Sequence, residues 1–277
     1  MMQGPALAVC SWSLRPTSPE DLVEQVRATG LRQVQLALRP FVERAWSVER
    51  TKATLGAAGI KVVSGMMEPF GEDYTTPLTI KTTGGLRPDA NWERNQEIAR
   101  RATAAAVAFG IGLVTFHAGF VPEDAGPERA KLVGRIRRTA EIFASARIRL
   151  GLETGQETAE GLLHALAEIG RADVGVNFDP ANMILYGMGD PIDAIRRLGA
   201  FVRQVHLKDA RPASQPGEWG SEVPAGSGVV DWDRFFAILK DRAPGAAVVI
   251  EREAGEARVR DVRTAVELAV RIAGAAP

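Results

Sequence analysis

The chain has 277 residues, of which 45% are apolar and 25% charged, a mixture that suits one large α/β domain able to bury a full core. Its 34 basic and 34 acidic side chains cancel to a net charge of zero, which argues against a protein that holds nucleic acid or an acidic membrane surface. It has one cysteine, no basic segment leading into an apolar run near the N-terminus, and no stretch near the ~18 apolar residues of a membrane helix, so we predict a soluble, cytoplasmic protein.

Short runs of branched apolar residues alternate along the chain with longer segments of helical periodicity. The first two helical segments begin at Ser18 and Ser47, residues that favour helix N-termini, and stop at Gly30 and Gly59. The predicted strands are Leu7–Cys10, Gln33–Leu38, Ile60–Met66, Gly112–His117, Ile148–Glu153, Val174–Asp179, Val202–Leu207 and Ala247–Glu251. The predicted helices are Ser18–Thr29, Ser47–Ala58, Asn91–Phe109, Pro127–Ala144, Ala159–Ile169, Pro191–Leu198, Trp232–Asp241 and Val259–Ala273.

This order of elements predicts the fold class, which is α/β. Strict alternation of strand and helix predicts a parallel sheet with right-handed crossovers. Eight such units in 277 residues match a single (β/α)8 TIM barrel, whose usual length is roughly 250 residues. No linker or composition shift divides the chain, so we expect residues 1–277 to form one barrel domain. A doubly wound open sheet is the alternative.

Four of the predicted strands end on a side chain that can bind a metal ion. The last four strands close on Glu153, Asp179, His206 and Glu251, with His206 one residue before its strand ends. A barrel places the carboxyl ends of all its strands on one rim, so these side chains would converge there. Each also has a structural alternative: a hydrogen-bonded core histidine for His206, a turn at Asp179 before Pro180, and helix-capping acids for the two glutamates.

Two connections are longer than a barrel requires. Glu68–Pro88 follows the third strand, and Ala210–Val230 follows the seventh; both are rich in glycine. Long loops in compact domains are usually functional or disordered. We therefore expect both to lie on the catalytic rim and to cover a substrate, the alternative being plain surface excursions.

The motifs GLET, NFDPAN, HLKDA, GSGVVDW and VIERE carry a resemblance that extends over nearly the whole chain. Together they resemble the xylose-isomerase-like TIM-barrel superfamily, and within it the sugar phosphate isomerase/epimerase branch, which includes ketose 3-epimerases and inosose-processing enzymes. The resemblance implies one divalent metal ion held by Glu153, Asp179, His206 and Glu251. It also implies that Glu153 and Glu251 act as an acid/base pair on a small sugar through a cis-enediolate.

The types of ligand favour some metal ions over others, but the sequence leaves the identity of the substrate open. Three carboxylates with one imidazole favour Mn²⁺ or Mg²⁺, while Co²⁺ or Zn²⁺ stays open. Many relatives carry a histidine three residues after the metal-binding aspartate, where this chain has Asn182, so the resemblance leaves the sugar and its stereocentre open. No phosphate-binding loop is evident, which leaves open whether the substrate is phosphorylated.

Five further residues are candidates for substrate binding, each with a structural alternative. Asn182 replaces the family histidine, Lys208 shares the inward face of its strand with His206, and His117 ends the fourth strand. Lys208 could instead pair with a neighbouring acid, and His117 could tie a loop. Trp12 would line the pocket or fill the core, and Arg252 is a weaker candidate.

Three other activities fit the same barrel. A dehydratase would expel a β-hydroxyl from the same enolate. A non-catalytic sugar-binding barrel would not need an opposed acid/base pair. An endonuclease IV-like nuclease would need more histidines than the three this chain has, and its zero net charge is unsuited to DNA. We expect a small-molecule sugar as partner and neither nucleic acid nor membrane, and the sequence leaves a homo-oligomer open.

Overall fold

Eight parallel strands close into a barrel in the computed structural model, which describes residues 5–275. Around the barrel the strands are hydrogen-bonded in the order β1-β10-β7-β6-β5-β4-β3-β2, and β2 returns to β1. This closure confirms the predicted (β/α)8 barrel and excludes the open sheet. The barrel strands are β1 (Leu7–Cys10), β2 (Gln33–Ala37), β3 (Lys61–Met66), β4 (Leu113–Phe116), β5 (Arg149–Glu153), β6 (Val174–Phe178), β7 (Val202–Leu207) and β10 (Ala247–Ile250).

Helices surround the barrel and connect its strands. Side chains at their starts accept backbone hydrogen bonds: Ser18 accepts from the N–H of Asp21, and Thr158 accepts from the N–H of Gly161. None of the helices within the described residues combines the length and hydropathy needed to cross a lipid bilayer. The α-helices are α1 (Pro19–Ala28), α2 (Arg39–Val42), α3 (Val48–Ala57), α4 (Pro77–Thr83), α5 (Trp92–Phe109), α6 (Pro127–Ala144), α7 (Ala159–Ile169), α8 (Pro180–Tyr186), α9 (Pro191–Leu198), α10 (Trp232–Arg242) and α11 (Arg258–Ala273).

The two long connections contain secondary structure that their composition does not predict. The first carries α4, which Thr76 begins with a reciprocal capping box to Thr79. The second contains an antiparallel hairpin of β8 (Asp209–Arg211) and β9 (Ser221–Val223). Both connections contribute residues to the cavity at the carboxyl rim, on the side where we expected them.

The interior of the barrel is polar at the level below the rim. Side chains that face outward, such as Val34 and Phe178, are apolar and pack against the helices. Those that face inward include Gln35, Gln204 and Asn177, which are fully buried. Gln204 donates from Nε2 to Oε1 of Gln35 at 3.0 Å and to Oδ1 of Asn177 at 3.1 Å, so the amides satisfy one another across the barrel.

Two irregularities in strand register fall at this polar level. The pairing of β2 with β3 shifts between Val34 and Gln35, and the pairing of β6 with β7 shifts between Val176 and Asn177. An extra residue in one strand changes the direction of the neighbouring side chains, and such bulges are frequent near active sites. Here each shift adjoins an amide of the polar layer.

Candidate metal centre and active site

Four side chains converge at the carboxyl rim of strands β5, β6, β7 and β10. One ligand atom from each of Glu153, Asp179, His206 and Glu251 lies within 4.8 Å of the other three, and all four residues are buried. Nδ1 of His206 is 3.2 Å from Oε1 of Glu153, 3.2 Å from Oε2 of Glu251 and 3.9 Å from Oδ2 of Asp179. The structure therefore brings together the four residues that the sequence places at strand ends.

Asp179 divides its two carboxylate oxygens between two tasks. It is the residue before α8, and its Oδ1 accepts hydrogen bonds from the N–H groups of Ala181 at 2.8 Å and Asn182 at 3.0 Å. Its Oδ2 is buried and has no hydrogen-bond partner. A buried carboxylate oxygen without a partner is costly, so this atom is suited to a cation. The turn considered as the alternative for Asp179 accounts for one oxygen only.

A neighbouring amide fixes the orientation of the His206 ring. Oε1 of Gln35 lies 2.8 Å from Nε2 of His206, and because a carbonyl oxygen only accepts, we assign the proton to Nε2. Nδ1 then faces the three carboxylates, and it offers its lone pair there when the ring is neutral, as it must be to bind a metal ion. Histidines that bind metals typically donate their other N–H to a carbonyl or carboxylate in this way.

The pKa shifts within the cluster show that its carboxylates attract positive charge. Burial, reinforced by the Glu251 carboxylate, raises the pKa of Asp179 well above its ordinary value. At Glu251 burial acts in the same direction, but Lys208 and His206 hold its pKa well below the ordinary value. Burial opposes the charged form of His206, yet Glu251 and Glu153 help to raise its pKa well above the usual range. A divalent cation would supply the charge that these three carboxylates attract.

Asn182 and Lys208 connect the two glutamates. Asn182 donates from Nδ2 to Oε1 of Glu153 at 3.1 Å, and its Oδ1 accepts from Nζ of Lys208 at 3.2 Å. Lys208 also lies 3.0 Å from Oε2 of Glu251. Gly155, at φ +133°, makes room for this arrangement, because a Cβ there would lie 2.5 Å from Cβ of Asn182. Asn182 therefore contacts Glu153, a candidate metal ligand, directly, although it differs from the family histidine.

A cavity of about 570 Å³ opens above the cluster. Trp12 and His117 line it: Nε1 of Trp12 donates to Oε1 of Glu251 at 2.7 Å, and Nε2 of His117 lies 3.6 Å from Oε1 of Glu153. Nδ1 of His117 is buried without a hydrogen-bond partner. Both residues thus occupy positions from which they could touch a substrate.

Arg252 does not line this cavity. Its guanidinium donates to Oε1 of Glu222 at 2.7 Å and to Oδ2 of Asp261 at 3.0 Å. Glu222 belongs to β9 and also accepts from the backbone N–H of Glu253 and Ala254. The structure places Arg252 behind the wall of the pocket, where it positions Glu222, in contrast to the substrate contact considered from the sequence.

Sequence reasoning gave no role to several residues that shape the site. Gln35 and Asn177 orient His206 and Glu153, with Nδ2 of Asn177 3.2 Å from Oε2 of Glu153. Both could have been recognised as polar residues at inward-facing positions of strands whose side chains alternate in direction. Glu72 lies in the first long connection, where no sequence pattern predicts the direction of a side chain.

Two observations indicate that the residues of the cluster fit a divalent cation. Oδ2 of Asp179 is buried without a hydrogen-bond partner, and Nδ1 of His206 lies 3.9 Å from it on the same side of the cluster. Three oxygens and one nitrogen form a hard donor set, which is the type that Mn²⁺ and Mg²⁺ prefer. The cluster could therefore hold such an ion.

Barrel closure and a carboxylate–histidine cluster at the carboxyl rim define a class of (β/α)8 proteins with a candidate metal centre. A family model described as "Xylose isomerase-like TIM barrel" matches residues 17–271, and the chain belongs to that family. The family match confirms the resemblance drawn from the motifs.

Three proteins illustrate what the chain is similar to. A 3-dehydroshikimate dehydratase from Bacillus anthracis is 25% identical in an alignment of 130 positions that covers 41% of this chain and 46% of that protein, so the match spans about half of this curated relative. A xylose isomerase domain protein from Planctomyces limnophilus is 28% identical, with a TM-score of 0.84 over 98% of both chains. A D-allulose 3-epimerase from Methylomonas sp., solved with D-allulose, has a TM-score of 0.72 over 98% of both chains at 17% identity, which shows the fold alone.

Proposed function

We propose that the chain is a divalent-metal-dependent isomerase or epimerase of a small sugar or sugar derivative. The observation that carries the proposal is the position of Glu153 and Glu251, which come from separate strands and each lie 3.2 Å from Nδ1 of His206. Two carboxylates on either side of one cation site suit the removal of a proton from one face of a carbon and its return to the other. The epimerase among the related folds is consistent with this proposal.

Glu153, Asp179, His206 and Glu251 would hold the ion, with Mn²⁺ or Mg²⁺ favoured by the donor set. When bound, the ion would act as a Lewis acid on the carbonyl and a neighbouring hydroxyl of the substrate. Co²⁺ and Zn²⁺ also accept oxygen and nitrogen ligands, so they belong in the same trial.

The protein side chains would orient the two glutamates and move the proton. One glutamate accepts the proton from the carbon beside the carbonyl, and the other delivers a proton to the opposite face. Trp12 holds one oxygen of Glu251, and Lys208 contacts the other at 3.0 Å, which favours an ionised carboxylate. Asn182 holds Glu153 by a hydrogen bond of 3.1 Å.

Solvent exchange tests the proposal. In D₂O, turnover by proton transfer labels the carbon beside the carbonyl, whereas a hydride shift leaves it unlabelled. The probe is a panel of ketoses and inososes with Mn²⁺-loaded protein, read by mass spectrometry and NMR. We expect Glu153→Gln and Glu251→Gln each to reduce exchange by about 10²–10⁴-fold, the usual size of a general acid–base contribution.

Metal occupancy must be measured in the same samples, because both glutamates are also proposed ligands. Glu256→Gln is the matched control, since that side chain is 90% exposed and pairs only with Arg15 among the described residues. Metal-loaded glutamine variants that exchange at the wild-type rate, or product without solvent label, would rule out proton transfer by these residues.

Dehydration is a second candidate, favoured by the partial match to a 3-dehydroshikimate dehydratase. The same proton removal would then be followed by loss of the β-hydroxyl as water. Lys208, beside Glu251, could donate the proton to that leaving group. A product lighter by one water, in place of an isomer of equal mass, would identify this reaction.

A further inference from the structure

The wall of the cavity above the cluster is strongly acidic. Glu68, Glu72, Glu222, Glu251 and Glu253 line it, against one lysine and one histidine, Lys208 and His117. Two more carboxylates, those of Glu153 and Asp179, lie in the cluster beneath. Seven carboxyl groups therefore surround the site, more than a bound divalent ion and the one lysine of the wall could offset.

Lys208 is already occupied by carboxylates. Its Nζ lies 2.5 Å from Oε2 of Glu253, 3.0 Å from Oε2 of Glu251 and 3.8 Å from Oδ2 of Asp179. Its remaining contact is Oδ1 of Asn182 at 3.2 Å. An anionic substituent on a substrate would have to displace Glu253 from this ammonium and would then face the displaced carboxylate.

The nearby arginines are also paired with protein carboxylates. Arg252 lies between Glu222 and Asp261, at 2.7 and 3.0 Å. Arg39 is 2.9 Å from Glu43 and 3.3 Å from Glu68. Within residues 5–275, Lys208 is therefore the lysine or arginine that the cavity wall presents, and it is not free for an anion.

The negative charge of Glu72, in contrast, is not paired with a lysine or arginine of the described residues. Gly85 N–H donates to its Oε1 at 2.9 Å and the Tyr74 hydroxyl to its Oε2 at 3.2 Å, but no lysine or arginine of the described chain lies within 4.0 Å of it. Burial raises the pKa of Glu72, and a positive charge nearby would favour its ionised form.

Aromatic side chains surround the same space. Tyr74, Tyr186 and Trp219 line the cavity with Glu72, and the rings of Tyr186 and Trp219 lie 4.9 Å apart between centroids. Aromatic faces combined with carboxylates attract ammonium groups and also accept the apolar faces of sugars. The same combination repels phosphate and carboxylate groups.

We infer, on the basis of the proposed function, that the substrate is a hydroxyketone without an anionic group, and that an ammonium substituent remote from its carbonyl improves recognition through Glu72. Phosphorylated and carboxylated sugars are then poor substrates. The exclusion extends to 3-dehydroshikimate, which carries a carboxylate, so the partial dehydratase match does not transfer its substrate to this chain.

A matched set of ketoses tests this charge selection. The probes are a neutral ketohexose, its 6-phosphate, its 6-carboxylate and its 6-amino-6-deoxy analogue, compared by kcat/KM for solvent exchange. We expect kcat/KM for the amino analogue to exceed that for the neutral sugar by roughly 10-fold. We expect kcat/KM for each of the two anions to be at least about 10-fold lower than that for the neutral sugar. One attractive or repulsive charge within several ångströms produces differences of this size. Glu72→Gln should reduce the amino-to-neutral ratio, while Glu256→Gln should leave it unchanged.

The inference is overturned if either anion matches the neutral sugar, or if Glu72→Gln leaves the amino-to-neutral ratio as it was. Absence of exchange with every probe would instead contradict the proposed function. Charge selection is then decided by calorimetry on metal-free protein, which removes direct capture of phosphate by an ion. Tighter binding of the amino hexitol than of the neutral hexitol, dependent on Glu72, supports the inference, and equal binding refutes it.

Discussion

Replacement of Gln35 by methionine should weaken metal binding without removing a ligand. Gln35 accepts from Nε2 of His206 at 2.8 Å and so keeps the lone pair of Nδ1 directed at the carboxylates. Methionine has a similar volume but offers no comparable acceptor, so the imidazole would lose the contact that fixes its proton and its rotation. Partners of this kind typically contribute 10–100-fold to metal affinity, or about 1.4–2.7 kcal/mol.

The same substitution should also cost stability. Gln35 receives a hydrogen bond from Nε2 of Gln204 at 3.0 Å and donates to Oγ1 of Thr115 at 2.8 Å, and all three residues are buried. A buried polar group left without a partner costs about 1–3 kcal/mol. With several groups affected, we expect a loss of roughly 2–5 kcal/mol in the free energy of unfolding.

Calorimetry with Mn²⁺ measures the first effect and urea unfolding the second. Gln33→Met is the matched control, because Gln33 lies two residues earlier on β2 and its side chain makes no hydrogen bond within residues 5–275. A folded Gln35→Met protein that binds Mn²⁺ as tightly as the control would refute the positioning role of Gln35.

Three further outcomes follow from the structure. Burial raises the pKa of Glu157 to about 8, so the folded state keeps a proton that the unfolded state releases. Stability should therefore fall as pH rises from about 4.5 to 8, and Glu157→Gln should remove this fall and be up to about 5 kcal/mol more stable than wild type above pH 8 in urea titrations. The Asp209 carboxylate accepts from the backbone N–H groups of Gly226 and Gly228 and from Trp232 Nε1, so Asp209→Asn should speed proteolysis within Ala210–Val230, and unchanged cleavage would contradict this. Phe143 is fully buried, and Phe143→Ala should lower the free energy of unfolding by about 3–5 kcal/mol, a result that equal urea midpoints would exclude.

Local sequence was sufficient to predict the bounds of elements whose structure depends on their own residues. Pro127–Ala144 and Val202–Leu207 have the bounds expected from periodicity, because proline at a helix start and an apolar strand pattern act locally. The four candidate ligands could be placed because each lies at or beside a strand end, where the barrel determines the direction of the side chain.

Features that depend on distant partners were not predictable. The side chain of Arg252 turns toward Glu222, which comes from a hairpin 30 residues earlier, and the sequence gives no register for that hairpin. Likewise the role of Gln35 depends on a residue 171 positions away and on a shift in strand pairing. Such contacts follow from closure of the barrel and cannot be inferred from neighbours along the chain.

The polar layer inside the barrel has a consequence for how the chain folds. Gln204 comes from a strand far in sequence from those of Ser64 and Gln35, and its hydrogen bonds with both form only when the strands are aligned correctly. A barrel closed with one strand slipped by a residue would bury these groups without partners, whereas an all-apolar interior would tolerate the slip. The layer therefore penalises closure with a misaligned strand, so the register of the strands and the geometry of the rim above them are specified together.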